Sequence, residues 1–232
     1  MTMLEATDLT RTFVGGDGGL LTVLDGVSLA VGRGEMVAIV GASGAGKSTL
    51  LHLLGALDRP TRGRVAIGGE ALNGLGDEAL AELRNRKVGF VFQFHHLLRE
   101  FSALENVMIP LRIAGRSAAD ARARAASLLE RVGLGGRMTH RPSELSGGEQ
   151  QRTAVARALA LDPAVVLADE PSGNLDHTNS ERLHDLFAQV SRDLAMAMVI
   201  ATHNRSLAAR ADRVLMLEDG KLVDTTVGAQ VP

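Results

Sequence analysis

GASGAGKST, residues 41–49, follows the apolar run MVAIV at 36–40 and leads into an apolar stretch whose spacing predicts a helix over 49–57. The segment therefore reads as strand, loop, helix, and it satisfies G-x-x-x-x-G-K-[ST] in full. Glycines at 41, 44 and 46 let the backbone curl with its N–H groups inward, and the following helix adds its unpaired amides and positive dipole end. Such a nest cradles polyphosphate. Lys47 would reach the β- and γ-phosphates of a nucleoside triphosphate, and the Ser48 hydroxyl would join the shell of a Mg²⁺ ion. Only Lys47, Lys87 and Lys221 are lysine among 25 Lys plus Arg. A chain that otherwise uses arginine thus keeps lysine where a mobile point charge is needed. The glycines do not fall as G-x-G-x-x-G, so a dinucleotide-binding loop is not indicated.

A length of 232 residues suits one α/β domain, and 45% hydrophobic content supplies a sizeable core. A formal net charge of -2 gives no support to nucleic-acid electrostatics, and no nucleic-acid partner is expected. With no cysteine there is neither a disulfide framework nor thiolate chemistry. The start, MTMLEATDL, has no apolar stretch of signal-peptide type, and no window reaches the ~20 apolar residues of a spanning helix. Work at a membrane would require another chain to span it.

Alternation predicts β runs at 3–9 and 23–31 around a glycine-rich turn at 15–19, and further strands at 64–67, 88–92, 164–168 and 198–201. Residues 214–217 and 221–224 flank Asp219-Gly220 as a hairpin. Helical periodicity marks 117–132, 149–161 (stopped by Asp162-Pro163) and 179–194. The fold class expected is α/β: a P-loop NTPase core of mostly parallel sheet flanked by helices, with N-terminal antiparallel β elements and an inserted helical subdomain. That divides one domain, 1–232, into a core of 1–92 plus 163–232 and a helical part of about 93–162.

Chemistry collects at the predicted strand ends, where open parallel sheets bind ligands. VVLADEP, 165–171, puts Asp169 in position to hold Mg²⁺ and Glu170 in position to deprotonate an attacking water. His203 ends the strand before it and would hydrogen-bond a γ-phosphate. Gln93 brings a neutral donor and acceptor to the metal or the water. His95 and His96 are adjacent, point apart, and lack ligand spacing. Phe13 is either an adenine-stacking ring or core. A second phosphate signal, LSGGEQ at 145–150, sets Ser146 at the N-cap of a helix with Gly147 and Gly148 leaving its first amides uncovered. One nucleotide needs only one such nest. The second is more naturally filled by the γ-phosphate of ATP held on another copy, giving a homodimer with two buried nucleotides.

The ordered set of residues 41–49, Gln93, LSGGEQ, VVLADE, SGNLD at 172–176 and His203 resembles the nucleotide-binding subunits of ABC transporters across essentially the whole chain. The resemblance implies ATP and Mg²⁺ as cofactors. It implies nucleotide contacts from Gly41, Ala42, Ser43, Gly44, Ala45, Gly46, Lys47, Ser48 and Thr49, with Phe13 under the adenine, where tyrosine is more usual. It further implies that Ser146, Gly147 and Gly148 bind the partner copy's γ-phosphate, and that Asp176 couples the two sites. Glu149 replaces a more usual glutamine as a tolerated variant. The stretch 83–111, with FQFHHLL at 92–98, and HRPSELSGGE from His140 are similar to the ATPases of lipoprotein-releasing transporters in the inner membrane of Gram-negative bacteria. That implies a peripheral protein at the cytoplasmic face, two integral membrane permease subunits, and lipoprotein cargo reached through them. The apolar segment after Gln93 would form the groove that receives a permease helix. Macrolide or peptide efflux ATPases and FtsE-type cell-division ATPases share the motifs. Repair and translation ATPases of the superfamily carry coiled coils or fused cassettes, which this chain lacks.

Overall fold

Met36–Val40 is buried at every position, as expected of a strand covered on both faces. It is β3 in a computed structural model that describes residues 1–16 and 18–225. The turn expected at 15–19 therefore has residue 17 outside the described residues, and the core assigned to 163–232 is described as far as 225.

Before β3 come β1 (Thr2–Val14) and β2 (Leu20–Gly32), an antiparallel ribbon that runs farther toward its turn than alternation indicates. The ribbon tip is exposed on both faces, so polar and glycine residues interrupt the pattern without ending the pairing. β4 (Arg62–Ile67) and the short β5 (Glu70–Ala71) complete a sheet of order β2-β1-β4-β5, antiparallel throughout. The larger sheet adds β6 (Val88–Phe92), β7 (Val165–Asp169), β8 (Ala197–Ala201), β9 (Arg213–Glu218) and β10 (Lys221–Asp224), in the order β10-β9-β3-β8-β7-β6. All its pairs are parallel except β10 with β9, which close around Asp219 and Gly220, both at positive φ, as a two-residue hairpin.

The helices are α1 (Lys47–Leu54), α2 (Asp77–Lys87), α3 (Ala103–Ile113), α4 (Ala118–Arg131), α5 (Gly147–Ala158), α6 (His177–Leu194) and the single turn α7 (Arg205–Ala208). Three differ from the periodicity by two residues or more. α1 ends at Leu54, not 57: Gly55 packs against the Phe90 ring, and Ala56 adopts positive φ. α5 begins at Gly147, before the periodic stretch, because Ser146 caps it as expected, and it ends three residues before Leu161. α6 starts two residues early, where the Asp176 carboxylate accepts the Asn179 N–H. α2, α3 and the single turn α7 have no counterpart among the predicted helices.

Alternate residues of the parallel strands face two cores. Val37, Ile39, Val165 and Leu167 pack with α1 and the antiparallel sheet, while Val166, Ala168, Met198 and Ile200 pack with α3 to α6 around the fully buried Phe187. β6 lies close enough to the end of α5 that a Cβ at Gly89 would overlap the Ala158 carbonyl oxygen. A backbone atom cannot yield as a side chain can. Gly89→Ala is expected to destabilise by about 1–3 kcal/mol, read as a lower urea midpoint at unchanged slope.

Candidate active site

Because the strands pair in parallel register, β6, β7 and β8 finish level at their carboxyl ends, and β3 runs one residue further. Phe92 lies opposite Asp169, Asp169 opposite Ala201, and Ala201 opposite Ile39. Gln93, Glu170, Thr202 and the 41–46 loop thus leave one edge of the sheet side by side.

The loop closes as its glycines require. Gly41, Gly44 and Gly46 all have positive φ, and a Cβ at Gly41 would overlap the Leu217 carbonyl oxygen. Gly46 is the N-cap of α1 and supplies no side-chain cap, so the first amides of that helix meet no protein acceptor from the cap. The buried Lys47 turns its ammonium onto the carbonyl oxygens of Gly41 and Ala42, at 2.8 and 3.1 Å. A cavity of 960 Å³ opens above, lined by residues 21–23, 40–45, His203 and 216–220. The lining takes Leu21, the cross-strand partner of Phe13, and not Phe13 itself. The Phe13 ring is 37% exposed, with the Arg11 guanidinium 4.5 Å from its centre and held there by Asp58 at 2.9 Å.

Glu170 has φ 43, a conformation a non-glycine residue adopts at a cost, and this turns it off the line of β7. Its N–H donates to the Ala201 carbonyl at 2.9 Å. Its carboxylate meets His203 twice, 2.9 Å from Nδ1 and 3.3 Å from the backbone N–H that donates to it. With His203 73% exposed, this pair contributes little to stability. Gln93 and Asn174 clasp each other: Gln93 Nε2 donates to Asn174 Oδ1 at 3.0 Å, and Asn174 Nδ2 donates to the Gln93 carbonyl at 3.2 Å. That leaves Gln93 Oε1 as its free acceptor. Ser48, Asp169 and Gln93 together offer only oxygen donors, the set a hard divalent cation takes.

Ser146 is built into a full capping box. Its Oγ accepts from the Glu149 N–H at 3.3 Å, while its own N–H and hydroxyl donate to Glu149 Oε2 at 2.8 and 2.9 Å. These bonds, the Ser146 N–H foremost, and Arg137 at 2.9 Å pull the Glu149 carboxyl down to about 2. Glu149 is therefore structural, which its reading as a tolerated variant did not anticipate. Gly147 faces Leu175, and Gly148 is buried against Asn179, so this helix end stands beside the 172–176 loop and apart from the cavity lining. Asp176 spends its carboxylate on the α6 cap, which lowers its pKa.

Sequence reading missed Asn174, and it missed two residues of α5 that hold the segment after β6. Gln151 Nε2 donates to the Phe92 carbonyl at 3.1 Å, and Arg157, whose pKa burial lowers, donates to the carbonyls of His95 and His96 at 2.8 and 2.7 Å. These contacts span 59 to 81 residues of chain, so no local pattern signals them.

A phosphate nest at the carboxyl edge of a parallel sheet, with acidic and amide groups level beside it, defines a P-loop ATPase. A profile of the ABC transporter family matches residues 24–173, and the chain belongs to that family. It is 55% identical to the lipoprotein-releasing system ATP-binding protein LolD of Geobacter metallireducens, over 95% of this chain and 98% of that one. It is 52% identical to LolD of Pseudomonas syringae pv. tomato, over 96% and 97%. Among solved structures it resembles the ATP-binding cassette MJ0796 in a dimeric post-hydrolysis state bound to ADP and Pi, with TM-score 0.88 and 37% identity over 98% of this chain and 100% of that one.

Removing the capping box by Glu149→Ala is expected to cost about 1 kcal/mol, a Tm some 2–4 °C lower near neutral pH. The Glu149 pKa is depressed from 4.5, so its contribution is complete above that value and is lost as pH falls toward 2. Thermal melts of the two proteins should therefore converge as pH falls below about 4.5.

Proposed function

We propose that this chain is the ATP-hydrolysing subunit of a transporter that releases lipoproteins from the bacterial inner membrane. It would lie peripherally on the cytoplasmic face and close as an ATP-bound homodimer against two permease subunits of the LolC/LolE kind. The observation that carries the dimeric reading is the separation of the two glycine-bearing helix starts: residues 41–45 line the cavity, while Ser146, the N-cap of α5, and Gly147 and Gly148 of its first turn lie outside that lining. The solved relative MJ0796 is likewise described as dimeric and bound to ADP and Pi. Identity to proteins named for lipoprotein release, over nearly the whole chain, supports the transport reading.

In this reading the loop amides and Lys47 bind the triphosphate, and Phe13, backed by Arg11, stacks on the adenine. Ser48, Asp169 and Gln93 would hold Mg²⁺, which supplies charge neutralisation on the phosphate oxygens. Glu170 takes a proton from water as the water oxygen bonds to the γ-phosphorus; the bond to the β,γ-bridging oxygen breaks, leaving ADP and Pi. His203 holds Glu170 in place and faces the γ-phosphate. Asp176 couples the two sites across the dimer.

Among the described residues no helix is long and apolar enough to cross a membrane. An apolar groove of 450 Å³ between α2, α3 and the end of α5 is instead suited to receive a permease helix, with Phe90, Phe92, Ile109 and Leu161 in its wall. Ile113, also in its wall, is 69% exposed, whereas residues 94–98, expected to form the groove, are absent from its lining. The efflux and cell-division readings share all of this chemistry. Depleting the protein should mislocalise lipoproteins; filamentation with normal lipoprotein sorting would favour the cell-division reading.

Glu170→Gln should retain ATP, accumulate the ATP-bound dimer on gel filtration, and lower kcat by about 10²–10⁴. Hydrolysis near the wild-type rate would remove Glu170 as the base.

A further inference from the structure

His184 of α6 is fully buried yet touches polar groups through both ring nitrogens. Nε2 lies 3.0 Å from the Ser172 hydroxyl, two residues beyond Glu170. Nδ1 lies 3.5 Å from the Ser206 hydroxyl, three residues beyond His203, and 3.5 Å from Glu181. The two loops whose leading residues meet at the site are thus tied a second time behind it.

The surrounding bonds define which nitrogen carries the proton. The Ser206 hydroxyl donates to Glu181 Oε1 at 2.7 Å and accepts from Arg210 Nη1 at 2.7 Å, while Arg210 Nη2 donates to Glu181 Oε2 at 2.7 Å. With its hydrogen committed, Ser206 faces Nδ1 as an acceptor, and Glu181 accepts only; Ser206 and Arg210 hold the Glu181 pKa near 2. Nδ1 therefore carries the hydrogen, Nε2 is the lone-pair side, and the Ser172 hydroxyl donates to it. Burial lowers the ring's pKa, despite the opposing pull of Glu181, and so favours this neutral form.

We infer that His184 is a positioning residue for ATP hydrolysis, clamping the loop after Glu170 to the segment after His203 so that the two move as one unit. The ring bonds to Ser172 and Ser206 from the same helix whose N-terminus Asp176 caps. A shift at His203 is therefore passed to residues 172–176 from behind the site. The inference rests on the roles proposed for Glu170 and His203, and Glu170→Gln tests those roles separately.

The test compares steady-state ATP hydrolysis and thermal unfolding of the full chain in four variants. His184→Phe keeps the bulk and leaves the Ser172 hydroxyl unpaired, so both stability and kcat should fall. Ser172→Ala/His184→Phe removes that orphan and should recover most of the stability, while kcat stays about tenfold low and the KM for ATP stays within about twofold. His184→Gln can still accept from Ser172 and should keep more than half of wild-type kcat. Ser172→Ala, the mildest change, should lower kcat severalfold with KM unchanged. Wild-type kcat in Ser172→Ala or in the stable double variant would overturn the inference, as would equal losses in His184→Gln and His184→Phe.

Discussion

The site depends on the level register of four parallel strands. Because Phe92, Asp169, Ala201 and Ile39 stand abreast, Gln93, Glu170, Thr202 and Val40, the last residue of β3, reach the same edge at the same height. A slip of one residue in any strand would exchange its two faces, sending Val165 and Leu167 into the helical core and Val166 and Ala168 out of it. Packing on both faces therefore specifies the register, and the register places the chemistry. Asp169 and Glu170 need no special mechanism to reach the edge that carries the 41–46 loop, one strand away across β8; the two-sided burial of β7 delivers them.

What the register cannot supply is orientation, and here long-range polar ties take over. Glu170 would continue the strand if its φ were ordinary; positive φ costs roughly 1–3 kcal/mol. Its own N–H to Ala201, the Gly173 N–H donated to its carbonyl at 3.0 Å, and the His203 contacts hold that conformation. Gln93 is similarly restrained, since Asn174 accepts from its side chain and donates to its backbone. Three loops from β6, β7 and β8 consequently form one hydrogen-bonded surface. Disturbing any one of them alters the others without touching nucleotide.

How much of this is legible in the sequence depends on how local each cause is. The 41–49 loop is readable because glycine, lysine and a following helix are all it requires. The strands β3, β6, β7 and β8 are readable because burial on both faces leaves an apolar run. α2 escapes notice because it buries only Leu80 and Leu83. α3 is obscured by Pro110 within it, although S-x-x-E at 102–105 was available as a start signal, and that capping box does form. Asn174, Gln151, Arg157 and His184 act on partners that only the folded chain brings near. Their residue types carry no message until the topology is known.

The two phosphate signals also prove unlike in kind. α1 begins with no side-chain cap, so its amides are available to a ligand, whereas α5 already gives the Ser146 N–H and hydroxyl to an anionic Glu149. A phosphate reaching Ser146 must compete with that carboxylate and its like charge, which Arg137 offsets only in part. Free phosphate in dilute solution would fill such a site poorly. A γ-phosphate already fixed by the Lys47 loop of a second copy arrives at high effective concentration and carries the rest of that copy's surface with it. On the two-copy reading, then, the uncapped helix sets the affinity for nucleotide. The capped one makes closure conditional on a nucleotide being there.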